Sequence, residues 1–167
     1  PLVFMIVLGT VLLNATTARP FAKLIGVFLV KSEGILIVGA SQFSRLIGRY
    51  LEDNGRHVVL IDSNQTNIKL AHELDLEAIN LDIYSETLDD NIELNDVGFL
   101  MALTGSSDIN KYAINKFRAQ FGENGSFRLI TVEEMNAPAE NTPKEGLFSH
   151  TDDFYQLTEV ARKYPKI

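Results

Sequence analysis

The chain has no cysteine among its 167 residues, so neither a disulfide framework nor a thiolate metal site can form. Histidine is nearly as scarce. His57, His72 and His150 are scattered, each most simply a surface or turn residue, and no metal site is expected. Acid is missing from residues 1–31, which carry Arg19, Lys23 and Lys31. Removing these three from the 15 bases leaves 12 against all 22 acids. An acidic domain of that size is a poor general binder of nucleic acid, whose phosphates must be neutralised. Internal repeats and low-complexity segments are also lacking. Hydrophobic residues make up 46% of the chain, enough for a real core in one domain with an appendage.

Charge is absent from Pro1 to Ala18, and the run Pro1–Leu13 is almost wholly apolar. Eighteen uncharged residues stand at the lower edge for a membrane-spanning helix. Arg19 and Lys23 directly after them fit a cytoplasmic flank. A secretory signal fits badly, because no basic segment precedes the apolar run. The start reads as part of a longer membrane protein, the alternative being a helix buried or partner-packed in a soluble one. A second apolar run, Leu24–Val30, ends at Lys31.

The chain is organised around Glu33–Asp62. Ile35-Leu36-Ile37-Val38 is an apolar run suited to a strand buried on both faces. Gly39 ends it. Leu46, Ile47, Tyr50 and Leu51 recur at helical spacing, Asn54-Gly55 stops that helix, and Val58-Val59-Leu60-Ile61 is a second strand ending at Asp62. This is a βαβ unit of the dinucleotide-binding type. Its fingerprint lacks two glycines: G-x-G-x-x-G falls on Gly39, Ser41 and Ser44. Serine is small and can cap a helix or bond a phosphate. Asp62 follows Gly39 by 23 positions, near the ~20 expected of a ribose-binding carboxylate. The bland alternative is a Rossmann-shaped domain with a decayed site, where Asp62 is a turn residue.

Beyond Asp62, Ser63 or Asn64 can cap a helix bearing Ile68, Leu70, Ala71 and Leu74. Glu77–Asn80 is a short third strand leading to Leu81-Asp82-Ile83. A small helix is expected from Ser85. Val97–Leu103 reads as a fourth buried strand, ending in the hydroxyl-rich turn Thr104-Gly105-Ser106-Ser107-Asp108. Ile109, Tyr112, Ala113, Ile114 and Phe117 mark a helix stopped at Gly122, and Phe127–Val132 a fifth strand. Strands alternating with helices imply a doubly wound, parallel α/β sheet. From Glu133 the chain becomes a loop with Pro138 and Pro143. A helix then starts near Thr151–Asp153, with Phe154, Leu157, Val160 and Ala161 on one face. Three segments result: 1–31, a membrane-type helix and linker; 32–132, a Rossmann domain; and 133–167, a tail packing on the domain or a partner.

The order of pieces resembles the TrkA-N domain, also called RCK or KTN, which regulates potassium channels and cation–proton antiporters. The resemblance rests on Ile37-Val38-Gly39-Ala40-Ser41, Ile61-Asp62, Leu81-Asp82-Ile83 and Ala102 to Asp108, with Asn110 at the family's asparagine. Val11 to Lys23 looks like the end of the last transmembrane helix of a bacterial sodium–proton antiporter, where a basic-proline pair follows the helix. Ser41, Ser44 and Leu81 depart from the family's glycines.

The resemblance implies a nucleotide across the carboxyl ends of the strands. The turn Gly39-Ala40-Ser41-Gln42-Phe43-Ser44 would face phosphate, and Asp62, with Ser63 beside it, would hold the ribose. Asp82 and Ile83 would border adenine, and Thr104 and Gly105 would line the far wall. An acid at position 62 disfavours a 2′-phosphate, leaving NAD, NADH, ATP, ADP or AMP. Arg45 could reach phosphate or lie solvated on its helix. No catalytic set is visible. The implied role is a regulatory domain, not an enzyme, at the cytoplasmic face of a bacterial inner membrane. Its partners would be the transmembrane transport domain of the same polypeptide and a second copy in a homodimer. Alternatives are a ligand-free dimerisation module and a small NAD-dependent oxidoreductase.

Overall fold

The computed structural model describes residues 2–24, 33–85, 96–122, 125–136, 138, 143–148 and 153–165. The chain divides into two compact units, Pro1–Lys31 and Ser32–Ile167.

The first unit contains one helix, α1 (Leu2–Leu24). Arg19 and Pro20, expected beyond the helix, lie within it. Pro20 has no N–H to give the Thr16 carbonyl one turn earlier. The hydroxyls of Thr10, Thr16 and Thr17 donate back to the carbonyls of Val7, Leu12 and Leu13 at 2.8, 2.8 and 2.6 Å, which internalises their polarity. Leu2 to Leu8 and Val11 to Leu13 are exposed. The uncharged helical stretch Leu2–Ala18 measures about 26 Å at ~1.5 Å per residue. A full span needs ~20 residues, and among the described residues no helix is long and apolar enough to cross a membrane. The expected membrane helix is present as a helix.

The second unit is a five-stranded sheet: β1 (Gly34–Val38), β2 (Val58–Asp62), β3 (Glu77–Asn80), β4 (Val97–Ala102) and β5 (Ser126–Arg128). The order is β3-β2-β1-β4-β5, and every pairing is parallel. Among the described residues the unit carries helices α2 (Gln42–Asp53), α3 (Gln65–His72), α4 (Ser107–Phe121), α5 (Val132–Met135) and α6 (Phe154–Lys163). Side chains alternate across a strand, and β1 shows the consequence. Leu36 and Val38 enter one apolar cluster with Ala113, Ile114 and Phe117 of α4. Ile35 and Ile37 enter the other, with Phe43 of α2, Ile68 of α3 and Ala161 of α6. Both faces of the sheet are thus covered, as a parallel sheet requires.

Several sequence expectations change. Tyr50 is 50% exposed and takes no part in the core; α2 buries Phe43, Ser44, Arg45 and Gly48 instead. The fifth strand is the short β5, because Thr131 caps α5 rather than pairing. Its hydroxyl accepts from the Glu134 N–H, and the Glu134 carboxylate accepts from the Thr131 N–H, a capping box. Phe99 in β4 is 36% exposed. Val160 on α6 is 56% exposed, leaving Phe154, Leu157 and Ala161 as the packed face. The small helix expected from Ser85 lies outside the described residues beyond that first position.

Candidate functional site

Strand order reverses between β1 and β4, since β2 and β3 lie on one side of β1 and β4 and β5 on the other. In open parallel sheets the carboxyl ends of the strands part there and leave a crevice. A cavity of about 390 Å³ occupies this place. Gly39 and Ser41 from the turn after β1 line it, with Asp62 and Ser63 from the end of β2 and Asp82, Ile83 and Tyr84 from beyond β3. Thr104 and Gly105 come from the end of β4 and Phe154 from α6.

The first turn is built by local chemistry. Gly39 has φ +97°, and a Cβ there would stand 2.9 Å from the Thr104 methyl. Glycine therefore lets the β1 and β4 turns approach closely. Ser41 caps α2: its Oγ accepts from the Ser44 N–H at 3.2 Å and lies 2.9 Å from the Ser44 hydroxyl. Ser44, where a third glycine would pack helix on strand, is fully buried. The N–H groups of Gln42 and Phe43, in the first turn of α2, have no acceptor within the helix. They and the helix dipole make this end receptive to an anion.

Asp62 is the hub of the second turn. Its Oδ2 accepts from the Ala40 N–H at 2.8 Å and from Asn67 Nδ2 at 3.0 Å; its Oδ1 accepts from the Asn64 N–H at 2.8 Å. A carboxylate offers about four acceptor positions, so capacity remains for a hydroxyl donor. The Asp62 carbonyl also receives Leu81 N–H and Asn80 Nδ2, tying the segment after β3 to the same point. Asp82 folds back to accept from the Tyr84 N–H at 3.0 Å. On the far wall, Asn110 is 2% exposed and clasps Thr104. Its Oδ1 accepts from the Thr104 N–H at 3.0 Å and lies 2.7 Å from the Thr104 hydroxyl, while its Nδ2 donates to the Thr104 carbonyl at 3.0 Å.

Eight of the twelve residues singled out from the sequence line the cavity: Gly39, Ser41, Asp62, Ser63, Asp82, Ile83, Thr104 and Gly105. The other four do not. Ala40 and Ser44 are fully buried and Phe43 packs in the core, while Gln42 Nε2 turns to the Ala161 carbonyl at 3.4 Å. Within this turn the side chains of these four serve packing, and the backbone of Gln42 and Phe43 keeps its free donors. Arg45 does not lie solvated on its helix. It is 8% exposed and Nη1 donates to the Ala40 carbonyl at 2.5 Å. Burial lowers its pKa, with Asp62 and Glu73 opposing the shift. Asn67, Tyr84 and Phe154 were missed. Asn67, five positions after Asp62 on the next helix, carried a usable spacing; Phe154 carried none, because its place depends on how the tail folds back.

Among the described residues, no group of three or more His, Asp or Glu side chains could hold a metal ion. The cavity wall offers two carboxylates and one phenol as titratable groups, and neither histidine nor lysine. What it offers instead is Ser41 at a helix start, an acceptor carboxylate and an apolar floor, a combination suited to holding a phosphorylated ribonucleoside.

A doubly wound parallel sheet with its crevice at the strand-order reversal defines the Rossmann class of nucleotide-binding domain. The TrkA-N domain family matches residues 35–137, and the chain belongs to that family of Rossmann-like regulatory domains. No curated protein matches the chain. Its fold is similar to the crystal structure of the TrkA-N domain of inner membrane protein ybaL from Escherichia coli. Identity is 15% over 80% of this chain and 94% of that one, with a TM-score of 0.53. The NAD(P)-binding domain of an exopolyphosphatase-related protein from Archaeoglobus fulgidus is 19% identical over 60% of this chain and 90% of that one, with a TM-score of 0.45.

Proposed function

We propose that this chain is the regulatory end of a cation–proton antiporter, and that an adenine nucleotide bound in the crevice gates ion transport. The observation that carries the reading is the juxtaposition of the Gly39 turn and Asp62 at the strand-order reversal. The phosphate meets the start of α2, where free N–H groups favour an anion. The ribose meets Asp62, and the base lies toward Asp82 and Ile83. Nucleotide binding selects one conformation of the domain and shifts the equilibrium toward it. The segment from Arg19 to Lys31 passes that bias to the transport helices. The domain works as a homodimer at the cytoplasmic face of a bacterial inner membrane, and it binds its ligand without turning it over.

A ligand-free dimerisation module is the second reading. It is favoured by the Ser41–Ser44 hydroxyl pair, which already satisfies part of the phosphate turn. Calorimetric titration of the full chain in detergent micelles with NAD, NADH, ATP, ADP and AMP decides between them. Saturable one-site binding of one of these, abolished by Asp62→Ala, is the expected result. Because Asp62 also anchors the Ala40 and Asn64 N–H groups, a thermal melt of that variant must still show a cooperative transition. Absence of binding by all five ligands puts the ligand-free module first.

A further inference from the structure

The crevice does not run uninterrupted along the sheet edge. Past the 390 Å³ cavity lies a second one of about 300 Å³, on the β4–β5 side. The two share Thr104, Gly105 and Phe154. Of the three, Phe154 carries the largest side chain, and it bounds both cavities. Its ring is seated on the Gly105 backbone: a Cβ on Gly105 would fall 3.0 Å from both Cδ1 and Cε1 of the ring. The glycine at the end of β4 is what allows the ring to descend to the floor.

The helix that carries the ring is anchored. Phe154 is the first residue of α6, and that helix opens with a capping box. Asp153 Oδ1 accepts from the Gln156 N–H at 2.9 Å, and Gln156 Oε1 accepts from the Asp153 N–H at 3.1 Å. Behind it, Ala161 is buried in the cluster that also holds Phe43, and the Ala161 carbonyl accepts from Gln42 on α2. The helix that carries the ring is therefore anchored at its capped start and at Ala161.

A dinucleotide on a sheet of this kind lies across the strand-order reversal, one nucleotide on each side. Here the first half has its donors and its carboxylate on the β1–β2 side, and the route to the second half is crossed by Phe154. We infer that Phe154 sets the length of the ligand: the crevice takes a single adenosine phosphate and excludes a dinucleotide. This rests on the nucleotide-binding reading above and narrows it to a mononucleotide class. The second cavity, with Leu129, Ile130 and Thr131 on its wall, is opened to a dinucleotide by removing the ring.

The test is parallel calorimetry of the full chain in detergent micelles with AMP and NAD, repeated on Phe154→Ala and Phe154→Trp. The unaltered chain should bind AMP at least about tenfold more tightly than NAD. Phe154→Ala should reduce that preference by about tenfold or more, and Phe154→Trp, which keeps a ring across the crevice, should retain it. Equal affinity of the unaltered chain for AMP and NAD overturns the inference and leaves the nucleotide site standing. An undiminished preference in a folded Phe154→Ala does the same. Failure of both ligands to bind the unaltered chain removes the site and the inference together.

Discussion

Two arginines are buried in the Rossmann unit, and their charges meet opposite treatment. Arg128, at the end of β5, is 2% exposed. Its Nη1 and Nη2 donate to the two oxygens of Glu134 at 2.8 and 3.0 Å, and its Nε donates to Glu145 at 3.1 Å. Burial alone would lower its pKa, but the two carboxylates reverse that and raise it. Arg45, under the first turn, donates to one neutral carbonyl, and there burial prevails. The first region spends a cation on closure: Arg128 brackets β5, α5 and the segment around Glu145. The second keeps a cation that, among the described residues, no carboxylate contacts directly, beneath the turn where an anion is expected. A fold that only needed a staple would have paired it.

The comparison breaks most readily at Arg128. Replacing it by methionine strands Glu134 and Glu145 without their partner, and removing one member of a buried ion pair costs about 3–5 kcal/mol. Urea denaturation of Arg128→Met should show a loss of that size; a loss below about 1 kcal/mol would mean the bracket is not structural. Glu134→Gln tests the same bracket from the acid side. Hydrogen bonding from Arg128, against the opposing effect of burial and with help from Lys111 and the Thr131 N–H, brings the Glu134 pKa from 4.5 down to about 2. Because the folded value is the lower one, the stabilisation is complete above pH 4.5 and disappears as pH falls towards 2. Glu134→Gln should therefore cost about 1.5–3 kcal/mol at pH 7, and the gap to the unaltered protein should close in acid.

These effects sit on a frame that was largely readable in the sequence. Apolar runs bounded by glycine and asparagine placed β1, α2 and β2, because a buried parallel strand and a capped helix leave local signatures. The turn at Gly39 and the acid at Asp62 were readable from spacing alone. Three things were not. Arg45 lies one position after Ser44 on α2, which buries Phe43, Ser44 and Arg45 in succession, and nothing local distinguishes a buried arginine from a solvated one. The end of the fifth strand was hidden because Thr131 and Val132 suit a strand as well as a capped helix start. Phe154 depends on a contact with Gly105 nearly fifty residues earlier in the chain, which no periodicity encodes.

At the crevice itself Gly39→Ala is the next largest effect. It forces a side chain into φ +97° and against the Thr104 methyl, at a cost of about 1–3 kcal/mol, and the displaced turn should also lose nucleotide affinity. Arg45→Met sharpens the contrast between the two arginines. It removes a desolvated charge and keeps most of the volume, so denaturation should place it within about 1 kcal/mol of the unaltered protein. Titration with AMP should nevertheless show a loss of about tenfold or more, since the positive charge below the phosphate turn is gone. A stability loss as large as that of Arg128→Met would make Arg45 a second staple and erase the distinction.

The smallest effect comes from the opposite edge of the sheet, where His57 reproduces the Arg128 arrangement in the open. Its Nε2 meets Glu77 at 2.9 Å and its Nδ1 meets Asp96 at 2.6 Å. Two carboxylates cannot both accept unless both ring nitrogens carry hydrogen, so the geometry belongs to the imidazolium. The bond to Glu77, against the opposing effect of burial and with help from Asp96, raises the pKa above 6.5. With the folded value the higher one, the stabilisation is complete below pH 6.5 and disappears as pH rises through the folded pKa. The ring is 38% exposed and its carboxylates more so, so solvent screening should hold the contribution to about 1 kcal/mol or less. His57→Gln should therefore be slightly less stable than the unaltered protein at pH 5.5, and the gap should close as pH rises through the folded pKa. The same cation between two carboxylates would then be worth several times more at Arg128 than at His57, and the ratio measures what burial adds to an ion pair in this fold. A His57→Gln penalty rivalling that of Arg128→Met would show that burial is not the controlling variable.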